Sequence, residues 1–171
     1  MRLLIRGENW IFKNEKADAV LKKKKQRKGR ETMAREVTMR YRMSDRDVFY
    51  GGGVVNGARS ITYMGDVAER LMAKLYGNVG RCSKVRKIRL FVPCHAGDYM
   101  EFKARLNEET EGKAVIEVRS FKVCELPENP PFPSSIDMMT DPPLSTVGIF
   151  EYEIPEGRES GQKEEGGAEK E

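Results

Sequence analysis

The stretch Val37-Thr38-Met39-Arg40-Tyr41-Arg42-Met43 alternates apolar and polar side chains, the pattern of a strand with one buried face. Beyond Gly57 the period changes. Ala58, Ile61, Met64, Ala68, Leu71, Met72 and Leu75 recur at helical spacing, which predicts one amphipathic helix over 57–75, about 28 Å long. Asn56 reads as its N-cap and Gly77 as its stop. Four further strands are predicted at 85–92, 99–106, 114–123 and 147–154, with residues 108–113 as the turn between the second and third of them. Residues 126–143 carry six prolines; they predict irregular backbone, an ordered excursion or a lid. The order predicts an α+β domain in which about five strands form an antiparallel sheet around one long central helix. The open edge of such a sheet invites a second copy of the chain, so a homodimer or higher homo-oligomer is expected.

The segment ahead of the helix carries the chemistry. Asp47-Val48-Phe49-Tyr50-Gly51-Gly52-Gly53-Val54-Val55-Asn56-Gly57-Ala58-Arg59 holds three consecutive glycines and then an Asn-Gly pair. Glycine backbone tolerates positive φ and lets a ligand approach closely. At a helix start it also presents unpaired N–H groups and the positive end of the dipole, which suit a phosphate, a carboxylate or a polarised carbonyl oxygen. A tight turn without a ligand is the plain alternative.

Charge divides the chain of 171 residues into three parts. Residues 1–32 hold 11 Lys/Arg against 4 Asp/Glu, while the remainder holds 20 against 23, so the net +4 belongs to the arm. The run Lys22-Lys23-Lys24-Lys25-Gln26-Arg27-Lys28-Gly29-Arg30 repels itself and predicts a disordered extension. It has no interleaved aromatics to stack bases, which argues against nucleic-acid binding. Met33 stands where the patterned region begins and is a candidate true start. Residues 156–171, rich in Gly, Glu and Lys, predict a disordered tail, leaving 33–155 as the domain. Three cysteines without C-x-x-C, and a single histidine, His95, point to a reducing compartment and to no zinc site. No apolar run is long enough to span a membrane and the start is too short for a signal peptide, so the expected compartment is the cytoplasm.

The string D-x-x-Y-x-G-x-x-V-N-G-A-R from Asp47 to Arg59, followed by Gly65-Asp66-Val67-Ala68, resembles the hotdog-fold ammonia-lyases that act on β-aminoacyl-CoA thioesters. These include the 3-aminobutyryl-CoA and β-alanyl-CoA enzymes. Pro93-Cys94-His95-Ala96-Gly97-Asp98-Tyr99-Met100-Glu101 is similar to a P-x-x-A-G-D-Y-x-E string of that family, one shared with many hotdog proteins. The resemblance runs from about residue 37 to 155. It implies elimination of ammonia from a β-aminoacyl-CoA, with 3-aminobutyryl-CoA giving crotonyl-CoA in lysine fermentation. An acyl-CoA thioesterase or hydratase, or a non-catalytic CoA-binding hotdog protein, are the alternatives. No cofactor is called for, because the thioester itself acidifies the α-carbon.

That reaction needs donors for an enolate-like oxygen, assigned to the N–H groups of Gly52, Gly53 and Gly57, and a base. The resemblance places Asp47 and Tyr50 in or near the pocket, although Asp47 also reads as a turn or cap residue. Asp66, in mid-helix, is similar to the catalytic acid of related acyl-CoA thioesterases; a solvated carboxylate or a pair with Arg70 is its alternative. Asn56 caps the helix with a possible contact to substrate. Arg59 sits against the helix dipole and so suits an anion, a CoA phosphate or a carboxylate, or is a surface residue. The chain departs from the family pattern at Gly53 (Asn), Phe49 (His) and Arg89, where an acidic residue is usual. A lone histidine such as His95 reads as structural.

Overall fold

The computed structural model describes residues 4–6, 9–11 and 35–154. The chain separates into two units, Met1–Arg35 and Glu36–Glu171. In the first, β1 (Leu4–Arg6) and β2 (Asn9–Ile11) pair antiparallel. The readings placed on the rest of the basic arm, on Met33 and on 156–171 lie outside the described residues.

The second unit runs β3 (Glu36–Arg42), two 3-10 turns at Asp45–Asp47 and Gly51–Gly53, α1 (Gly57–Tyr76), β4 (Arg81–Leu90), β5 (Tyr99–Thr110), β6 (Lys113–Glu125), β7 (Asp137–Met138) and β8 (Leu144–Glu153). The sheet order is β3-β5-β6-β8-β4, with the short β7 added to β6. Every pair is antiparallel. The predicted α+β plan, one helix against an antiparallel sheet, is therefore the observed one. The count differs by one, because β7 forms inside the proline-rich excursion. Residues 134–141 lie between Pro133 and Pro142 and contain no proline, so this stretch keeps the N–H groups that a ladder requires. The β5–β6 hairpin is longer than its pattern suggested: Glu108 and Glu109 pair with Val115 and Ala114, and the turn narrows to Gly112 at φ 72°.

The helix is closed at both ends as the sequence indicated. The Asn56 side-chain oxygen accepts from the Ala58 N–H at 3.0 Å, and Gly77, at φ 69°, donates its N–H to the Ala73 carbonyl. Its buried face comprises Ser60, Met64, Val67, Ala68, Leu71, Met72 and Tyr76. That corrects the apolar stripe read from the sequence: Ala58 is exposed, Ile61 and Leu75 are half-buried, and the polar Ser60 begins the buried face near the N-terminus. Against it pack Met100, Phe102 and Ala104 of β5, Ile116 and Val118 of β6, and Phe150 and Tyr152 of β8. Each large side chain withdrawn from water here contributes about 1.5–3 kcal/mol.

The opposite face of the sheet is organised by three glutamates, each held between two cations. Glu101 pairs with Arg40 at 2.6 Å and Lys103 at 2.9 Å. Glu117 pairs with Arg119 at 2.6 Å and Arg105 at 3.4 Å. Glu151 pairs with Arg86 at 2.7 Å and Lys113 at 2.8 Å. Burial works to raise the Glu101 carboxyl, but Lys103 and Arg40 hold it below its usual range. The hydrogen bonds from Lys113 and Arg86 hold Glu151 down at about 2. A carboxyl depressed in the folded state stabilises the fold above its unfolded value of 4.5 and loses that contribution as pH falls towards 2. Thermal melts of Glu151→Gln should accordingly fall less steeply than wild type across that window, and start lower at neutral pH. Parallel curves for the two proteins would contradict this assignment.

Candidate active site

Backbone pairing around residues 53–56 builds a small three-stranded patch beside the start of α1. On one side Val48 bridges Val55, flanked by Asn56 N–H to the Asp47 carbonyl at 3.1 Å and Phe49 N–H to the Val54 carbonyl at 3.4 Å. On the other side Val54 bridges His95, with Val55 N–H to the Cys94 carbonyl at 2.9 Å and Ala96 N–H to the Gly53 carbonyl at 3.1 Å. Side chains alternate across such a ladder. Val55 and Cys94 are buried, Val48 packs on the core, and so Phe49, Val54 and His95 take the outward face. The glycine arc that closes the patch turns at Gly52 (φ 82°) and Gly53 (φ 76°), a conformation that costs an L-residue about 1–2 kcal/mol.

Asp47 is brought to the helix start by its own carbonyl bond to Asn56. Its Oδ1 lies 3.1 Å from Arg59 Nε, so the cation at the helix N-terminus serves an anion within this chain. The other oxygen, Oδ2, is shielded from solvent and has no hydrogen-bond partner. Arg59 also lies over the Tyr63 ring, 5.1 Å from its centroid, and Tyr63 stacks on Tyr41 at 4.3 Å. Burial raises the Tyr41 phenol, and the charge of Asp66 adds to it.

Beneath the outward face is a buried ion pair that the sequence reading missed. Asp98 and Lys122 are 2 % and 6 % exposed, with Lys122 Nζ 2.9 Å from Asp98 Oδ2. The same oxygen accepts the His95 backbone N–H at 2.8 Å, and His95 Nδ1 stands 3.9 Å away. The legible signal was Lys122 itself, a lysine at an inward position of an alternating strand whose inward face is mostly apolar. Close by, Ser60 Oγ and Cys94 Sγ are 3.8 Å apart in the core, where burial pushes the Cys94 thiol up and keeps it protonated. A cleft of about 530 Å³ opens next to this patch, lined by Arg42, Met43, Ser44, Asp45, Ala96, Gly97 and Leu126.

The structure thus gathers Asp47, Gly52, Gly53, Asn56, Gly57 and Arg59 around one helix start. It does not bring Asp66 or Tyr50 to the same point. Asp66 is exposed, nine residues or about 14 Å further along the helix axis. Among the described residues it forms no ion pair with Arg70. Tyr50 projects from the arc, 54 % exposed, its ring edge-on to Phe49. Arg89 lies over the Phe91 ring at 5.5 Å. Its neighbour Leu90 is the residue that reaches Gly57, so a side chain at position 89 projects from the other face of β4. Among the described residues no group of three or more His, Cys, Asp or Glu is placed to hold a metal ion.

In β-alanyl-CoA:ammonia lyase from Clostridium propionicum the same architecture recurs: it superposes with a TM-score of 0.67 at 23% identity, over 75% of this chain and 91% of that one. In sequence, 83 residues are 36% identical to 3-aminobutyryl-CoA ammonia lyase of Acetoanaerobium sticklandii. The chain has the hotdog fold, and part of it is similar in sequence to an ammonia lyase. The match covers 47% of this chain and 66% of the length of that relative. Other hotdog proteins share the fold at lower identity. An acyl-CoA hydrolase from Staphylococcus aureus solved with butyryl coenzyme A matches at 10% identity and a TM-score of 0.57, over 72% of this chain and 65% of that one. A hexameric thioesterase from Yersinia pestis matches at 13% and 0.54, over 67% and 83%. No family model matches the chain.

Within this hotdog domain the Asp98–Lys122 pair is the electrostatic floor of the site. Lys122→Met leaves Asp98 charged and buried without its cation, which should cost about 3–5 kcal/mol in urea unfolding. The double variant Asp98→Asn, Lys122→Met should recover much of that loss. Equal stabilities for the single and double variants would show that the pair is not coupled.

Proposed function

We propose that the chain is a carbon–nitrogen lyase that eliminates ammonia from a β-aminoacyl-CoA thioester, with 3-aminobutyryl-CoA as substrate and crotonyl-CoA as product. The observation that carries this reading is a side-chain-free arc, Gly51–Gly53, leading into the N-terminus of α1 with a carboxylate, Asp47, bonded beside it. The similarity to 3-aminobutyryl-CoA ammonia lyase supports the substrate. In this reading the thioester oxygen lies against N–H groups among Gly52, Gly53 and Gly57, which stabilise the charge that develops when the α-proton leaves. Asp47 takes that proton once Arg59 moves aside and uncovers its carboxylate. The C–H pair forms the C=C bond, and the C–N pair departs with nitrogen. Arg59 holds the carboxylate in place and releases it towards the substrate. Asp66 and Tyr50, on exposed surface within one chain, take part only if a second copy completes the site.

That second copy is part of the proposal. The β4 strand is ten residues long, pairs on one side only, and exposes Val85, Leu90 and the adjacent Phe91. Such an edge is a template for antiparallel pairing with its own copy. We place the protein in the cytoplasm, in lysine fermentation, with no cofactor beyond the CoA of its substrate; no helix among the described residues is long and apolar enough to cross a membrane.

The reaction is tested by incubating the protein with crotonyl-CoA and ammonia and following the amine adduct and free CoA by mass spectrometry. Wild type should form the adduct. Release of free CoA without adduct would replace the lyase reading by a thioesterase. Gly53→Val should abolish adduct formation with the fold retained, because valine does not accept the φ of 76° found there. Asp47→Asn should slow the reaction by about 10²-fold or more, whereas Asp66→Asn should change it little unless the partner chain supplies that carboxylate. Light scattering should give at least twice the chain mass, and Val85→Lys on the β4 edge should shift it towards the monomer; an unchanged mass would place the contact elsewhere.

A further inference from the structure

His95, the only histidine in the chain, flanks the glycine arc on the side away from Asp47, and we propose that its imidazole carries the proton to and from the ammonia nitrogen. The inference rests on the lyase reading and goes beyond it by naming the group that handles nitrogen. Its basis is the patch geometry. The ladder Val48–Val55 and Val54–His95 aligns His95 with Val54 and Phe49 and puts Asp47 on the far outer segment, two strand spacings across and two residues along, about 12 Å away in backbone terms. The alternation that buries Cys94 and Val55 sends His95 outward, while the Asp47 carboxylate lies against Arg59 at the helix start. Two proton-transferring groups therefore stand on opposite banks of the arc where the thioester is placed, with the side chains' own length to close the gap. Elimination breaks bonds at two adjacent carbons, and one group on each bank matches that demand.

The imidazole is held as well as placed. Its side chain is 43 % exposed, which leaves the ring open to a ligand, while Nδ1 lies 3.9 Å from Asp98 Oδ2 on the inner side. The Asp98 carboxylate is anchored by Lys122 at 2.9 Å and by the His95 backbone N–H at 2.8 Å. It stands behind the ring as a fixed polar neighbour. In the elimination the C–N bonding pair stays with nitrogen, ammonia leaves, and the imidazolium gives it a proton to form ammonium. The proton taken by Asp47 from the α-carbon returns to solvent and the imidazole is recharged. In the addition direction neutral imidazole takes a proton from ammonium and frees the lone pair that attacks the β-carbon. No further reactant is required.

His95→Ala and His95→Gln are compared with wild type in the crotonyl-CoA and ammonia assay, alongside calorimetric binding of crotonyl-CoA and a urea melt. Both variants should lose about 10²-fold in adduct formation with the affinity for crotonyl-CoA unchanged. Added imidazole should restore rate to His95→Ala and not to His95→Gln, whose side chain fills the space. A purely structural histidine would lower stability without imidazole rescue, and that result overturns the proposal. Turnover by His95→Ala at the wild-type rate also overturns it while leaving the lyase reading intact. A wild type that forms no adduct removes the lyase reading first. A second readout needs no turnover: crotonyl-CoA should slow carbethoxylation of this single histidine by diethyl pyrocarbonate, and unslowed modification under saturating crotonyl-CoA counts against the placement.

Discussion

Backbone hydrogen bonds on both sides of residues 53–56 are the constraint on which the site depends. They tie the start of α1 to the segment before β5 through the Val55–Cys94 bond, and to the end of the first 3-10 turn through the Asn56–Asp47 bond. Without the first tie the helix would have only side-chain packing to fix where its N-terminus points. Without the second, Asp47 would be one more carboxylate on a mobile turn. The positive end of the helix, the glycine arc and the carboxylate share a location because three short segments exchange main-chain bonds.

Two electrostatic regimes meet around this patch. On the outer sheet face the glutamates sit between pairs of partly exposed cations, where screening by water keeps each interaction modest. Beneath the patch, Asp98 and Lys122 are almost fully buried, and there a missing partner is costly. The inner pair therefore sets geometry more than net stability: it fixes Asp98 Oδ2, which in turn fixes the backbone of His95 and the turn from Cys94 to Asp98.

Much of the fold was legible because its signals are local. Asn56 and Gly77 cap the helix as their residue types demand, and the alternation over Val37 to Met43 gave β3. What failed to read was set by distant partners. Ser60 occupies the core face of α1 because its hydroxyl meets the Cys94 thiol there. Asp137 and Met138 become a strand because β6 offers them an edge. The site divides in the same way. The glycine arc, Asp47, Asn56 and Arg59 lie within 13 residues and announce themselves as one motif. His95, Asp98 and Lys122 come together only through strand pairing, so their proximity was not legible along the chain.

The alternation within the patch makes a segment that resembles a loop in composition behave as a ruler. Val54 faces out and Val55 in, as His95 faces out and Cys94 in. Adding or deleting one residue between Gly53 and Asn56 would exchange the two faces, burying the polar groups and exposing the core. Length variation among descendants of this chain should therefore concentrate in the proline-rich 126–143 excursion and spare these four positions, even though glycine-rich turns are where insertions are ordinarily tolerated.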